Sequence, residues 1–403
     1  MLKIIFFFIL ALRIILFNLQ SFHIDMSTWE AWSYRLVSLG PSNFYSYNYF
    51  SDYFPGYLYI LWIAGGFYHL VFPNLSFADL KFELMIKFIT LGFDIATSYY
   101  IYKIVNKYSK KLSKLSALLY MSNPAVIFNS SIWGQIDGIF TFFIVYSSHL
   151  LIEVKKPLKA SFFSSIAFLI KPQSIALYPL IALEIFKSFR KNLLSSLLII
   201  LITPIIFSLP FFISNPIFGL INLFQNSTGV YPHISLFAFN FWGIFGWWKP
   251  DKDIFLFFSY QAWGIILYIL SMIIVLYPAW KNKLKPSQFY LACALSSMVF
   301  FIFLTRIHER YLFPFLAFIL IASFVNKSKI LTGFYFLISL THFVNLWYVY
   351  YFYNFVYNNI KPDNNLLFKF VSDNHIIFSL ILIISFFSIT FFYYRLFYEK
   401  LNK

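Results

Sequence analysis

Four short polar segments interrupt an otherwise apolar chain, and each carries side chains suited to group transfer. In FHIDMSTWEAW, 22–32, Asp25 is a carboxylate that can take a proton from an acceptor hydroxyl, with Trp29 and Glu30 close behind it. The same residue also suits a helix cap at the end of a span. In SNPAVIFNSSIWGQIDG, 122–138, Asn123 and Pro124 interrupt a helix, and Trp133, Gln135 and Asp137 form the turn that follows. An indole covers the apolar face of a sugar while amide and carboxylate groups bond its edge. The competing reading is an interfacial Trp at a glycine turn. In FLIKPQSIALYPL, 168–180, Lys171, Pro172 and Gln173 separate two short apolar runs. A lysine at that depth needs an anionic partner, and non-helical backbone is tolerated there where it lines a cavity. In TRIHERYLFP, 305–314, Arg306, His308 and Arg310 match a phosphate oxyanion in charge and donor geometry, with Glu309 as a rival internal partner.

Membrane helices must position these groups. Of 403 residues, 60% are hydrophobic and only 11% charged, and mean hydropathy is +0.73, far from the composition of a soluble globule. One cysteine, Cys293, excludes a disulfide scaffold. Apolar runs predict an all-α, polytopic transmembrane bundle of about 12 spans, at 4–20, 84–104, 112–129, 138–152, 158–170, 174–186, 193–213, 254–279, 287–304, 311–325, 330–349 and 376–394. The N-terminal run reads as a retained signal anchor.

The net charge of +16 is an address more than a nucleic-acid patch. Twenty of the 31 Lys and Arg cluster at alternate span ends, from Lys3 through Lys103–Lys114 and Lys281–Lys285 to Lys403, and the positive-inside rule places them in the cytoplasm with both termini. The run 55–72 is then expected to stay on the external side as an interfacial or partly inserted helix. Residues 1–403 read as one membrane domain, with long external loops at 21–83 and 214–253 and C-terminal helices over 254–403. Asp52, Asp251 and Asp363 join the four polar segments on the external face, and aromatic-rich 214–253, with Asn240, suits a segment covering a site.

Taken in order, the motifs resemble the GT-C superfamily of polytopic glycosyltransferases. The likeness is greatest to bacterial and archaeal proteins similar to GPI mannosyltransferase II and more distant to the dolichyl-phosphate-glucose glucosyltransferases. Its carriers are Asp25 with Trp29 and Trp32, DYFPGYLY at 52–59, Asn123–Pro124, WGQID at 133–137, KPQ at 171–173, SLFAFNFW at 235–242 and HERYLFP at 308–314. The resemblance implies transfer of a hexose, mannose- or glucose-like, from a polyprenyl-phosphate donor to a hydroxyl acceptor on the external face of the plasma membrane. That acceptor is a glycan, glycolipid or protein. Asp25 is the implied base, and Lys171, His308 and Arg310 the implied phosphate ligands, with Arg306 added on charge. Trp29, Glu30, Trp133, Gln135, Asp137, Gln173, Asn240 and Glu309 are the expected substrate contacts. No nucleic acid is expected as partner. Some relatives use paired acids and a divalent metal, so Mg or Mn stays open here.

One candidate base and no evident carboxylate nucleophile favour a single displacement with inversion. The rival class is a transporter or flippase for a lipid-linked anion, which a broken helix at Lys171 would serve. Within the apolar runs, Arg13 and Asp94 lie at similar depth and are expected to pair, the alternative being that Arg13 faces a lipid phosphate.

Overall fold

A computed structural model describes residues 2–46, 49–356 and 365–401. Asp363 and Lys403 lie outside the described residues, as do the side chains of Lys3 and Lys400. The described chain is predominantly helical, with one short β-hairpin. Its helices are α1 (Leu2–Leu16), α2 (His23–Leu39), α3 (Pro55–Val71), α4 (Leu80–Tyr108), α5 (Lys110–Met121), α6 (Pro124–Ile127), α7 (Asp137–Ile152), α8 (Pro157–Ile170) and α9 (Tyr178–Ser188). There follow α10 (Leu193–Ser208), α11 (Pro216–Gly229), α12 (Tyr260–Lys281), α13 (Pro286–Phe303), α14 (Phe313–Val325), α15 (Lys329–Tyr351), α16 (Leu366–Asp373) and α17 (His375–Leu401). Proline opens α3, α6, α8, α11 and α13, where its missing N–H costs nothing.

Among the described residues, six helices are long and apolar enough to cross a membrane: α4, α10 together with the 3-10 turn that leads into it (Arg190–Ser208), α12, α13, α15 and α17. Their outer faces are apolar, with Leu194 70% and Leu201 64% exposed on α10, as expected of helices facing hydrocarbon. α14 is hydrophobic all round and buried, lying against α13, α15 and α7 as the centre of the bundle. Small residues let α7 and α8 approach closely, and Ser147 Oγ lies 2.9 Å from Ser164 Oγ between them.

Three expected spans differ. The run 112–129 is divided, because Asn123 and Pro124 end α5 and the chain continues through α6 into a π-helical turn, Phe128–Trp133. The span over 254–279 begins later: residues 254–259 form the hairpin β1 (Ile254–Phe255) and β2 (Phe258–Ser259), and Ser259 caps α12. The run 174–186 starts as a 3-10 helix, Pro172–Leu177, and leaves only 11 residues in α9.

Arg13 and Asp94 pair inside the bundle, as their depth in the sequence suggests. Both side chains are fully buried, and the guanidinium also reaches Ser130 and, at 3.0 Å, Ser131 of the π-helical turn. Lys87 caps the end of α1 by donating to Phe17 O (2.8 Å) and Leu19 O (2.9 Å).

Candidate functional site

α2 is fixed at its start from two sides. Phe22 N donates to Trp133 O at 3.1 Å, and His23 N donates to Asn354 Oδ1 at 3.1 Å. Asp25 stands in the first turn, and Asp25, Thr28, Trp29 and Trp32 follow the i, i+3, i+4, i+7 spacing that puts them on one helix face. That face lines a cavity of about 510 Å³. Asp25 Oδ2 accepts from Trp133 Nε1 at 2.8 Å and from Gln135 Nε2 at 2.6 Å, so one carboxylate oxygen is occupied and the other is left for a ligand.

The second wall comes from the broken helix. α8 ends at Ile170, and Lys171 adopts an extended backbone ahead of Pro172. Its Nζ lies 2.5 Å from Asp137 Oδ1, while Asn129 Nδ2 donates to Asp137 Oδ2 at 3.0 Å. Burial lowers the pKa of Lys171, and the Asp137 carboxylate opposes that shift. Gly56 lets the first turn of α3 press on this break, since a Cβ there would come within 2.5 Å of the Leu169 backbone.

The third wall is the segment before α14. Arg306 has φ +62°, and its guanidinium is held by Asp251 (Nε to Oδ2, 2.6 Å) and by Thr228 O at 2.7 Å. Arg310 Nη1 donates to Glu309 Oε1 at 3.0 Å, and His308 Nδ1 lies 3.7 Å from Glu309 Oε2. Burial alone would raise the pKa of Glu309, but Arg310 and His308 outweigh it and hold the carboxyl at about 2. Burial and the neighbouring Arg310 push His308 downward, toward neutral imidazole. Burial works against the charge of Arg310, but Asp25 and then Glu309 outweigh it and raise its pKa well above the ordinary arginine value.

Several buried polar atoms at the cavity find no protein partner among the described residues: Trp29 Nε1, Tyr53 OH, Gln173 Oε1 and Arg310 Nε. Ile175, Phe224, Ile265, Phe300 and Leu304 provide an apolar flank. No family model matches the chain, and no curated protein matches it either. The geometry itself is that of a pocket with convergent donors, the carboxylates of Asp25 and Asp52 and an apolar side, suited to a ligand with an anionic group, hydroxyls and a hydrocarbon portion.

Of the residues singled out in the sequence, Asp25, Trp29, Lys171, Gln173, Arg306, His308 and Arg310 line this cavity. Trp133, Gln135, Asp137 and Glu309 do not; they are buried behind it and hold Asp25, Lys171 and Arg310. Arg306 is paired with Asp251, as Lys171 is with Asp137 and Arg310 with Glu309, so each of the three cations already has a protein carboxylate beside it. Glu30 points to a different hollow, shared with Ser27, Tyr34 and His69, because five residues turn a helix by about 140° from Asp25. Burial, then the nearby Glu83, pushes its pKa up to about 7. Asn240 is a turn residue, accepting from Gly243 N at 2.8 Å and donating to Phe301 O at 3.3 Å.

The cavity also contains Asp52, Thr28, Tyr53 and Tyr231, none of them among the expected substrate contacts. Asp52 was visible only as an external acid in DYFPGYLY. Burial raises its pKa to about 6, with Arg310 and Lys171 opposing and Asp25 reinforcing the shift. Among the described residues no group of three or more His, Cys, Asp or Glu side chains is placed to hold a metal ion.

Proposed function

We propose that the chain is a polyprenyl-phosphate-dependent glycosyltransferase of the GT-C type, with about 12 membrane passages, cytoplasmic termini and an external reaction site. The observation that carries this reading is the meeting, in one cavity, of Asp25, the cations Lys171 and Arg310, unpartnered donors and an apolar flank. A lipid-linked sugar phosphate needs each of these. Arg310 and Lys171 stabilise the departing phosphate, with the His308 imidazole available as a neutral donor. Trp29, Tyr53 and Gln173 offer an aromatic face and hydrogen bonds to sugar hydroxyls.

The acceptor oxygen attacks the anomeric carbon as its proton passes to Asp25, and the bond from that carbon to the phosphate oxygen breaks. The phosphate leaves on its lipid, and the anomeric centre inverts. The test is to give purified protein radiolabelled polyprenyl-phosphate mannose or glucose together with a membrane glycolipid extract. Label is expected to move to an acceptor with inverted configuration. No transfer from either donor, or a retained configuration, contradicts the reading.

A further inference from the structure

The loop 133–137 supports both sides of the cavity, since Trp133 and Gln135 hold Asp25 and Asp137 holds Lys171. What holds that loop lies deeper. On its upstream side is the π-helical turn Phe128–Trp133, a geometry that is rare and recurs at functional sites. Arg13 donates from Nε to Ser131 Oγ at 3.0 Å and from Nη2 to Ser130 Oγ, and Ser130 Oγ in turn lies 2.6 Å from Asp94 Oδ2. Downstream, Gly138, the second residue of α7, lies directly against the same acid: a Cβ at Gly138 would be 2.5 Å from Asp94 Oδ1. Arg13 and Asp94 therefore hold the turn on the upstream side of the loop, while on the downstream side Asp94 Oδ1 lies close to Gly138 and hydrogen-bonds to no protein group among the described residues. Replacing a buried ion pair by a hydrophobic pair of similar volume is often neutral or stabilising, so what the two charges hold in place matters more here than the stability of the pair itself.

We propose that the Arg13–Asp94 ion pair is a positioning device for the reaction site, clamping the π-helical turn that leads into loop 133–137 so that Trp133 and Gln135 keep the Asp25 carboxylate facing the ligand. Neither residue lines the cavity, so both act only through the loop. This rests on the transferase reading, and the experiment separates the two. Arg13→Leu, Asp94→Leu, the charge-free double variant and Arg13→Lys are compared with wild type by thermal unfolding, by kcat and donor KM, and by hydrogen exchange at 128–138.

Each single Leu variant leaves one unpaired charge and is expected to unfold at lower temperature. The double variant is expected to regain much of that stability while kcat stays at least tenfold below wild type, donor KM stays within about threefold, and exchange at 128–138 runs at least tenfold faster. Arg13→Lys, which keeps the charge but loses the fork to Ser130 and Ser131, is expected to fold and to show an intermediate kcat. Wild-type kcat and wild-type exchange in the double variant or in Arg13→Lys overturn the proposal. If wild type transfers no sugar, the transferase reading fails, and the exchange measurement still decides whether the pair clamps the loop.

Discussion

The indole N–H of Trp133 donates to Asp25 Oδ2 across 2.8 Å, although Trp133 is fully buried and does not line the cavity. Its ring stacks on Phe22 at 4.3 Å, so the residue that aims the carboxylate is itself locked at the start of α2. Hydrogen bonds to a charged group are worth about 1.5–3 kcal/mol. Trp133→Phe keeps most of the stacking and loses the donor. It is expected to lower kcat by about tenfold or more with a small change in unfolding temperature. A wild-type kcat would remove Trp133 from the positioning of Asp25.

Lys171 and Asp137 form a buried pair, 3% and 0% exposed. Removing one partner of such a pair costs about 3–5 kcal/mol, since the other charge is stranded. Lys171→Met and Asp137→Asn are each expected to destabilise the protein strongly, and the double variant to recover a large part of the loss. Strictly additive losses in a double-mutant cycle, read from unfolding in detergent, would mean that the two do not interact. Donor KM is expected to rise in Lys171→Met even where the fold survives.

Asp52 has a folded pKa of about 6, above the ordinary carboxylate range, chiefly through burial. Between about pH 4 and pH 6 the folded chain keeps a proton that the unfolded chain has released, so this group makes stability fall as pH rises through that window. Asp52→Asn does not ionise. It is expected to be more stable than wild type at pH 7 by on the order of 1 kcal/mol, with the difference closing below about pH 4. Unfolding midpoints across that range check this, and a variant that is less stable at pH 7 than at pH 4 relative to wild type contradicts it.

Gly134 follows the π-helical turn with φ +82°, and a Cβ there would lie 2.5 Å from Met26 Cε. Gly134→Ala combines a strained backbone with an overlap against α2, and a loss of about 1–3 kcal/mol is expected. The Met26 side chain is flexible, so Gly134→Ala in a Met26→Ala background is expected to lose less. Equal losses in both backgrounds would place the whole cost in the backbone.

Helix positions and the polar breaks were legible because apolar periodicity and Pro, Gly and Asn punctuation act locally. Asn123–Pro124 and Lys171–Pro172 announce their own breaks, and Arg13 and Asp94 announce a pair because an isolated charge in hydrocarbon is costly. The roles of Trp133, Gln135 and Asp137 were not legible. Sugar-binding side chains and second-layer supports use the same residue types, and only the long-range contacts to Asp25 and Lys171 separate them. Glu30 could have been set aside by helix geometry alone, since Asp25, Thr28, Trp29 and Trp32 share a face that Glu30 does not. The hairpin before α12 escaped because Ile254–Phe258 is as apolar as the helix it precedes. Asp251 gave no local sign that it would neutralise Arg306 from 55 residues away.

The most direct test of the account is the turnover of Asp25→Asn with a radiolabelled polyprenyl-phosphate sugar that wild type accepts. The amide oxygen can still accept from Trp133 and Gln135, so the fold and donor binding are expected to persist while the proton acceptor is gone. Transfer falling by at least a hundredfold with donor KM nearly unchanged is the predicted result. Turnover equal to wild type would contradict the account at its centre.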